Sequence, residues 1–156
     1  MVRTKSRRPG GTRAGVKLGP LESWVGFNLR MAQEAAFAAF SHLSREIGEK
    51  PGRFATLTLI GENPGISQST LGQANGRDKS SMTPVLEDLV RRGLVRRTRT
   101  DEDRRSYKLE LTAAGTKTLT RLMACARKHE QNLDRLIGPS ERARFLRTLK
   151  RVQRIS

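Results

Sequence analysis

The sequence is short of several things, and each shortage excludes something. One cysteine, Cys125, occurs in 156 residues. That rules out an internal disulfide framework and a cysteine-based zinc site. The two histidines, His42 and His129, have no metal-ligand spacing with each other or with Cys125, so no metal is expected. No G-x-S-x-G, H-E-x-x-H or P-loop motif occurs, and the glycine-rich run "RPGGTRAG" is a poor phosphate-loop match. No catalytic residue, no cofactor and no enzymatic activity are expected. No run approaches the ~18 apolar residues that span a bilayer. The basic N-terminus lacks the apolar core of a signal peptide. The protein is therefore expected in the cytoplasm, with no membrane partner. Aromatic residues make up only 4%.

Acids are scarce too, and that shortage is the informative one. Asp and Glu total 15 against 31 Lys and Arg, a formal net charge of +16. An excess of this size suggests a polyanion partner. Residues 1–20 carry six of the cations, no acid, four glycines and two prolines. They read as a basic N-terminal arm. Setting those six charges aside leaves +10, so the remainder is basic in its own right.

Apolar spacing predicts mainly helix. From Leu21 to Ile47 the i, i+3, i+4 pattern predicts one long helix, ended by Gly48 and Pro51. A short helix fits Phe54 to Ile60, stopped by Asn63-Pro64-Gly65. Ser67 is a candidate N-cap, with Ile66 and Leu71 as a hydrophobic staple, and Asn75-Gly76 closes that helix. Asp78 caps the next, whose stripe is Met82, Val85, Leu86, Leu89 and Val90 and whose terminator is Gly93. Two short helices around a tight turn form a helix-turn-helix. Leu94 to Arg99 and Tyr107 to Thr112 then read as strands of a hairpin, which makes a winged helix. Thr112 caps a long helix from Ala113 to Ile137. Gly138-Pro139 breaks it, and Ser140 starts a last helix.

A helix entering the major groove reads base edges with its N-terminal half. Lys79, Ser80, Ser81, Thr83 and Pro84 occupy that position, with Ser80, Pro84, Glu87 and Arg91 opposite the apolar stripe. An ordinary capped amphipathic helix has the same pattern, so the helix alone does not decide. The hairpin loop holds three acids and two arginines in Asp101 to Arg105. A wing tip lies near the minor groove, whose negative potential attracts arginine. On this reading Asp103 does not meet DNA; it orients Arg105 through charge-assisted hydrogen bonds or tethers it to the domain body. Exposed ion pairs are worth only about 0–1 kcal/mol, so stability hardly explains them.

Asp103-Arg104-Arg105 followed by Leu109-x-Leu111-Thr112-x-x-Gly115 resembles the wing signature of MarR-family transcription regulators. "LEDLVRRGLVRR" (Leu86 to Arg97) is similar to that family's recognition-helix end and first wing strand. "PGISQSTLGQANGRDKSS" (Pro64 to Ser81) is similar to its helix-turn-helix. The likeness runs from about Leu21 onward. It implies a homodimer on double-stranded DNA, with residues 21–50 and 113–156 as a helical dimerisation region and 51–112 as the DNA-binding lobe. It aligns Arg105 with the minor-groove arginine and Asp103 with its partner. Two positions depart from the pattern. Gly72 stands where many members have Ala, and is expected to loosen its helix by roughly 0.5–1 kcal/mol. Pro84 stands on the outward face, where others often have a polar side chain.

Members of the family usually respond to small ligands. The first helix holds four of the seven aromatics, Trp24, Phe27, Phe37 and Phe40. They read as dimer core or as part of an effector site with Asn28, Arg30 and Arg53. "GFNLRMAQEAAFAAF" (Gly26 to Phe40) is similar to the subgroup that controls hydroxycinnamate degradation. That implies a small aromatic acid or its acyl-CoA thioester as effector, its phosphates met by Arg30 or Arg53. The competing reading is a non-specific basic nucleic-acid binder, which predicts equal affinity for any duplex and a steep salt slope.

Overall fold

The computed structural model describes residues 16–99 and 107–155. Two compact units are present, Met1–Ala35 and Ala36–Ser156.

The first unit holds a 3-10 turn, Gly19–Ser23, and the start of helix α1, Val25–Leu43. The expected single helix from Leu21 to Ile47 is therefore interrupted. Trp24 is extended (ψ 127°) and breaks the chain between the turn and α1. The side-chain amide of Asn28 donates to the carbonyls of Glu22 (3.0 Å) and Trp24 (2.9 Å), which bridges the break.

In the second unit, α1 ends at Leu43 because Ser44 diverts the chain. Its buried Oγ lies 3.0 Å from the Phe40 carbonyl and 2.8 Å from the Glu49 carbonyl. A 3-10 turn, Arg45–Ile47, then ends on Gly48 at φ +75°, a left-handed conformation that suits glycine. Helix α2 runs Pro51–Glu62, longer than expected at both ends. Pro51 starts it rather than closing the helix before: proline at the first helical position has no N–H to lose.

Strand β1 (Ile66–Ser67), α3 (Gln68–Ala74), α4 (Lys79–Arg91), β2 (Val95–Arg99), β3 (Tyr107–Leu111), α5 (Ala113–Ile137) and α6 (Pro139–Val152) follow. The expected hairpin is one part of a three-stranded antiparallel sheet ordered β1-β3-β2. Its register pairs Val95 with Leu111 and Arg99 with Tyr107. Strand β1 adds Ile66 opposite Leu109 and Ser67 opposite Lys108. The last helix begins at Pro139, one residue before the expected Ser140.

The core lies where α2, α3, α4, the sheet and α5 meet. Leu57, Ile60, Leu71, Met82, Leu89 and Leu109 are fully buried there. Gly115 fixes the start of α5 against the end of α4. A Cβ at Gly115 would fall 2.0 Å from the Leu94 carbonyl oxygen. The same carbonyl accepts from the Thr112 backbone N–H at 3.1 Å. Thr112 Oγ donates to the Gly93 carbonyl (2.6 Å) and accepts from the Gly115 N–H (3.0 Å). The Thr112-x-x-Gly115 pattern is thus a latch between the end of β3 and the turn after α4.

Candidate nucleic-acid interface

Helices α3 and α4 form the expected helix-turn-helix, and both expected caps are made. Ser67 Oγ accepts from the Thr70 N–H at 3.1 Å. Asp78 accepts from the Ser81 N–H at 2.7 Å and from Ser80 Oγ at 2.8 Å. These bonds, led by the Ser81 backbone N–H, hold the Asp78 carboxyl below its ordinary value. The turn between the helices closes through Arg77 N–H to the Gly72 carbonyl at 2.9 Å. A Cβ on Gly72 would lie 3.1 Å from the Arg77 carbonyl oxygen. Gly72, within α3, is therefore a close-approach position against the turn that follows the helix.

Met82, Leu86 and Leu89 bury the inner face of α4, while Ser80, Ser81, Pro84, Glu87 and Arg91 are exposed. Lys79 is the first residue of the helix. Pro84 sits inside α4, which continues through it to Arg91. Proline removes the N–H that would bond the Ser80 carbonyl, on the outward side. Thr83 is half-buried and turned toward α3: its Oγ accepts from the Gln68 side-chain amide at 2.9 Å.

Gln68 has a second partner. Its Oε1 accepts from Arg97 of β2 at 2.9 Å. The Arg97 guanidinium lies 4.3 Å from the centroid of the Tyr107 ring on β3. Thr83, Gln68, Arg97 and Tyr107 thus form one line of contacts from α4 to the sheet. Sequence reasoning missed Gln68, which reads as an ordinary first helical residue. It had a signal for Arg97, because strand alternation puts that residue on the same face as the buried Val95.

The wing residues Asp103, Arg104 and Arg105 lie outside the described residues. Their frame is described: Arg99 and Tyr107, at the paired ends of β2 and β3, flank residues 100–106. The exposed face of β2 adds Arg96, whose charge is balanced by Glu110 at 2.6 Å.

A charge cluster closes the far end of α4. The Glu49 side chain is fully buried and accepts from both terminal nitrogens of Arg92, one bond at 3.2 Å. Asp88 pairs with Arg53 at 2.7 Å and with Arg92 at 3.5 Å, and also with Arg91. Burial alone would push the Asp88 carboxyl up, but Arg53, Arg91 and Arg92 outweigh it and hold it below the ordinary carboxylate value. The Glu49 hydrogen bond raises Arg92 against the lowering effect of its burial.

The residues expected around an effector fall in both units. Trp24, Phe27, Asn28 and Arg30 belong to the first, and Arg30 lies 5.4 Å from the Phe27 ring centroid. Phe37 and Arg53 belong to the second. Phe37 is exposed, and the Arg53 guanidinium is engaged by Asp88, with Glu49 at 3.9 Å. Phe40 is a core residue, stacked on Phe54 at 5.3 Å and edge-on to the buried His129 at 5.8 Å. Cys125 Sγ donates to the Leu43 carbonyl at 3.3 Å. Among the described residues no group of His, Cys, Asp and Glu could hold a metal ion. No helix among them is long and apolar enough to cross a membrane.

A capped helix with a polar outward face, set beside a basic three-stranded sheet, defines a winged helix-turn-helix. The comparisons with known proteins make that class specific. The MarR family profile matches residues 50–107. A protein of Thauera aromatica, described as a transcriptional regulatory protein for the hcr operon, is 34% identical over 137 residues, 87% of this chain and 82% of its own length. The transcriptional repressor CouR bound to a 23-mer DNA duplex matches with a TM-score of 0.82 and 34% identity, over 89% of this chain and 99% of CouR. CouR bound to p-coumaroyl-CoA matches with a TM-score of 0.82 and 32% identity, over 90% and 99%. The chain belongs to the MarR family of transcription regulators. Its relatives are regulators, not enzymes.

Proposed function

We propose that the protein is a repressor that binds a palindromic operator as a homodimer in the cytoplasm and is released by a small aromatic acid or its acyl-CoA thioester. The observation that carries the DNA reading is helix α4. Its cap Asp78 is made, its apolar face is buried, its outward face offers Ser80, Ser81 and Pro84, and Lys79 is its first residue. In this reading those residues meet the major groove, Thr83 supports them from the α3 side, and Arg105, steadied by Asp103, enters the minor groove with Arg104 beside it.

Exposed apolar side chains support the dimer. Leu136 and Ile155 are each 84% exposed, and Phe145 and Leu146 are exposed as well. Ile137, Arg144 and Phe145 line a groove of about 370 Å³ where α5 meets α6. Large apolar side chains left in water near the end of α5 and on α6 are the kind of surface that a partner covers.

The likeness to CouR bound to p-coumaroyl-CoA supports the effector class. Trp24, Phe27 and Asn28 are the contacts we assign in the first unit. Arg30 is the cation for the CoA phosphates, because Arg53 is already committed to Asp88. Effector binding favours a lobe spacing that no longer fits two half-sites ~34–36 Å apart. A coupling of ~1–3 kcal/mol is typical of such regulation.

Competition binding tests the operator reading. Duplexes covering the protein's own upstream region compete against a scrambled duplex, with and without p-coumaroyl-CoA and p-coumarate. A preference of at least about a thousandfold is expected for an operator, with release by one of the two compounds. Equal affinity for both duplexes would instead establish a non-specific basic nucleic-acid binder.

A further inference from the structure

We infer that Gln68 is a positioning residue for sequence reading: it ties the outward-facing helix α4 to the β2–β3 stem, so that the two meet DNA in one fixed relation. The inference rests on the operator reading given above. Its ground is the line of contacts through a single side-chain amide.

The direction of that amide is set by chemistry. Arg97 has donors and no acceptor, so the oxygen of Gln68 must face it, as it does at 2.9 Å. The amide nitrogen then points the other way and donates to Thr83 Oγ at 2.9 Å. Gln68 is the first residue of α3, but it joins two elements other than its own. Thr83 lies on the reading half of α4, and Arg97 lies over Tyr107 at the start of β3. The Nε of Arg97 is buried with no hydrogen-bond partner among the described residues. Its guanidinium is therefore held by the Tyr107 face and by Gln68. Cation–ring attraction and one charge-assisted hydrogen bond are the anchors.

Neither element needs Gln68 in order to fold. Met82, Leu86 and Leu89 hold α4 in the core, and the ladder from Val95–Leu111 to Arg99–Tyr107 holds the stem. What Gln68 adds is their relative pose. Phosphate contacts tolerate a loose pose, because they arise from charge. Base-edge contacts do not, because they carry the sequence information through directed hydrogen bonds. Loss of Gln68 should therefore reduce selectivity more than general affinity.

The test uses the full-length protein and duplexes recovered by it from a randomised pool. Binding to the recovered duplex and to the unselected pool is measured for the unaltered protein, Gln68→Leu, Thr83→Val and the double variant, with thermal melting of each. The expected result is a drop of roughly tenfold in the ratio of the two affinities for Gln68→Leu, with pool affinity and melting temperature little changed. Thr83→Val should show a similar drop, and the double variant should be no worse than the single ones. Should Gln68→Leu fold poorly, Thr83→Val alone decides, since its loss breaks the same line. An unchanged ratio, an equal loss on both duplexes, or additive single effects would overturn the inference while leaving the operator reading intact. Failure of the unaltered protein to enrich any sequence would overturn the operator reading and this inference together.

Discussion

The carboxylate of Glu49 is fully buried, and Arg92, the residue that caps the end of α4, engages both of its oxygens. The two are 43 residues apart. The pair joins the connector between α1 and α2 to the end of α4. Arg92→Ala would leave a buried carboxylate whose one remaining cation among the described residues is Arg53, 3.9 Å away. Breaking a buried pair from one side costs about 3–5 kcal/mol. Because Arg92 is about one-third exposed (34%), solvent screening brings the expected cost below that range, to roughly 2–3 kcal/mol in urea unfolding. Arg92→Ala combined with Glu49→Gln should cost less than the two single losses added together. Strict additivity would show that the pair does not act as a unit.

Two glycines should respond very unequally to the same methyl group. At Gly115 a Cβ would sit 2.0 Å from a backbone oxygen, so Gly115→Ala must push α5 off Leu94. A loss of about 3 kcal/mol or more is expected. At Gly72 the contact is 3.1 Å. There the helix gain of alanine, roughly 0.5–1 kcal/mol, is set against a mild squeeze. Gly72→Ala should therefore stay within about 1 kcal/mol of the parent protein. Equal losses at the two sites in thermal melts would contradict the latch.

Acid should weaken α4 through its Asp78 cap. Asp78 is held below its ordinary value of 3.8 by hydrogen bonds from Ser81 and Ser80. A lowered carboxyl stabilises the fold above the unfolded value, and that contribution disappears as pH falls through the folded one. The loss thus lies below about pH 3.8. Asparagine caps equally well but does not titrate. Asp78→Asn should match the parent at pH 7 and show a shallower loss of stability below pH 4. An unchanged acid slope would remove Asp78 from the account.

The proposed dimer rests on side chains exposed in the single chain. Leu136→Asp changes a residue that is 84% exposed, so it should not disturb folding. It should shift sedimentation from dimer toward monomer, with operator affinity falling in parallel. A dimer unaffected by Leu136→Asp would place the interface elsewhere.

Much of this architecture was legible in the sequence wherever the signal is local. Ser67, Asp78 and Thr112 each cap the helix that their spacing announced, because a cap is decided within four residues. The winged helix-turn-helix and the family follow from that same dense stretch. Elements set by distant partners were not legible. Strand β1 has two residues and exists only because β3 is beside it. Pro51 and Pro139 looked like stops, yet each opens a helix. Glu49 carries no local mark of burial, since its partner comes from the end of α4. The candidate positions on α4 were legible from helical periodicity, and Ser80, Ser81 and Pro84 among them are exposed. That Thr83 turns inward to Gln68 depends on a contact 15 residues away.

Hydroxyl-radical footprinting of the protein's upstream region, with the unaltered protein and Arg105→Ala, tests the central claim most directly. The account predicts two mirrored protected half-sites about 10–10.5 base pairs apart or a multiple of that spacing. Arg105→Ala should lose the minor-groove protection outside them and weaken binding by ~1–3 kcal/mol. Uniform protection along the duplex, or a footprint unaltered by Arg105→Ala, would contradict it.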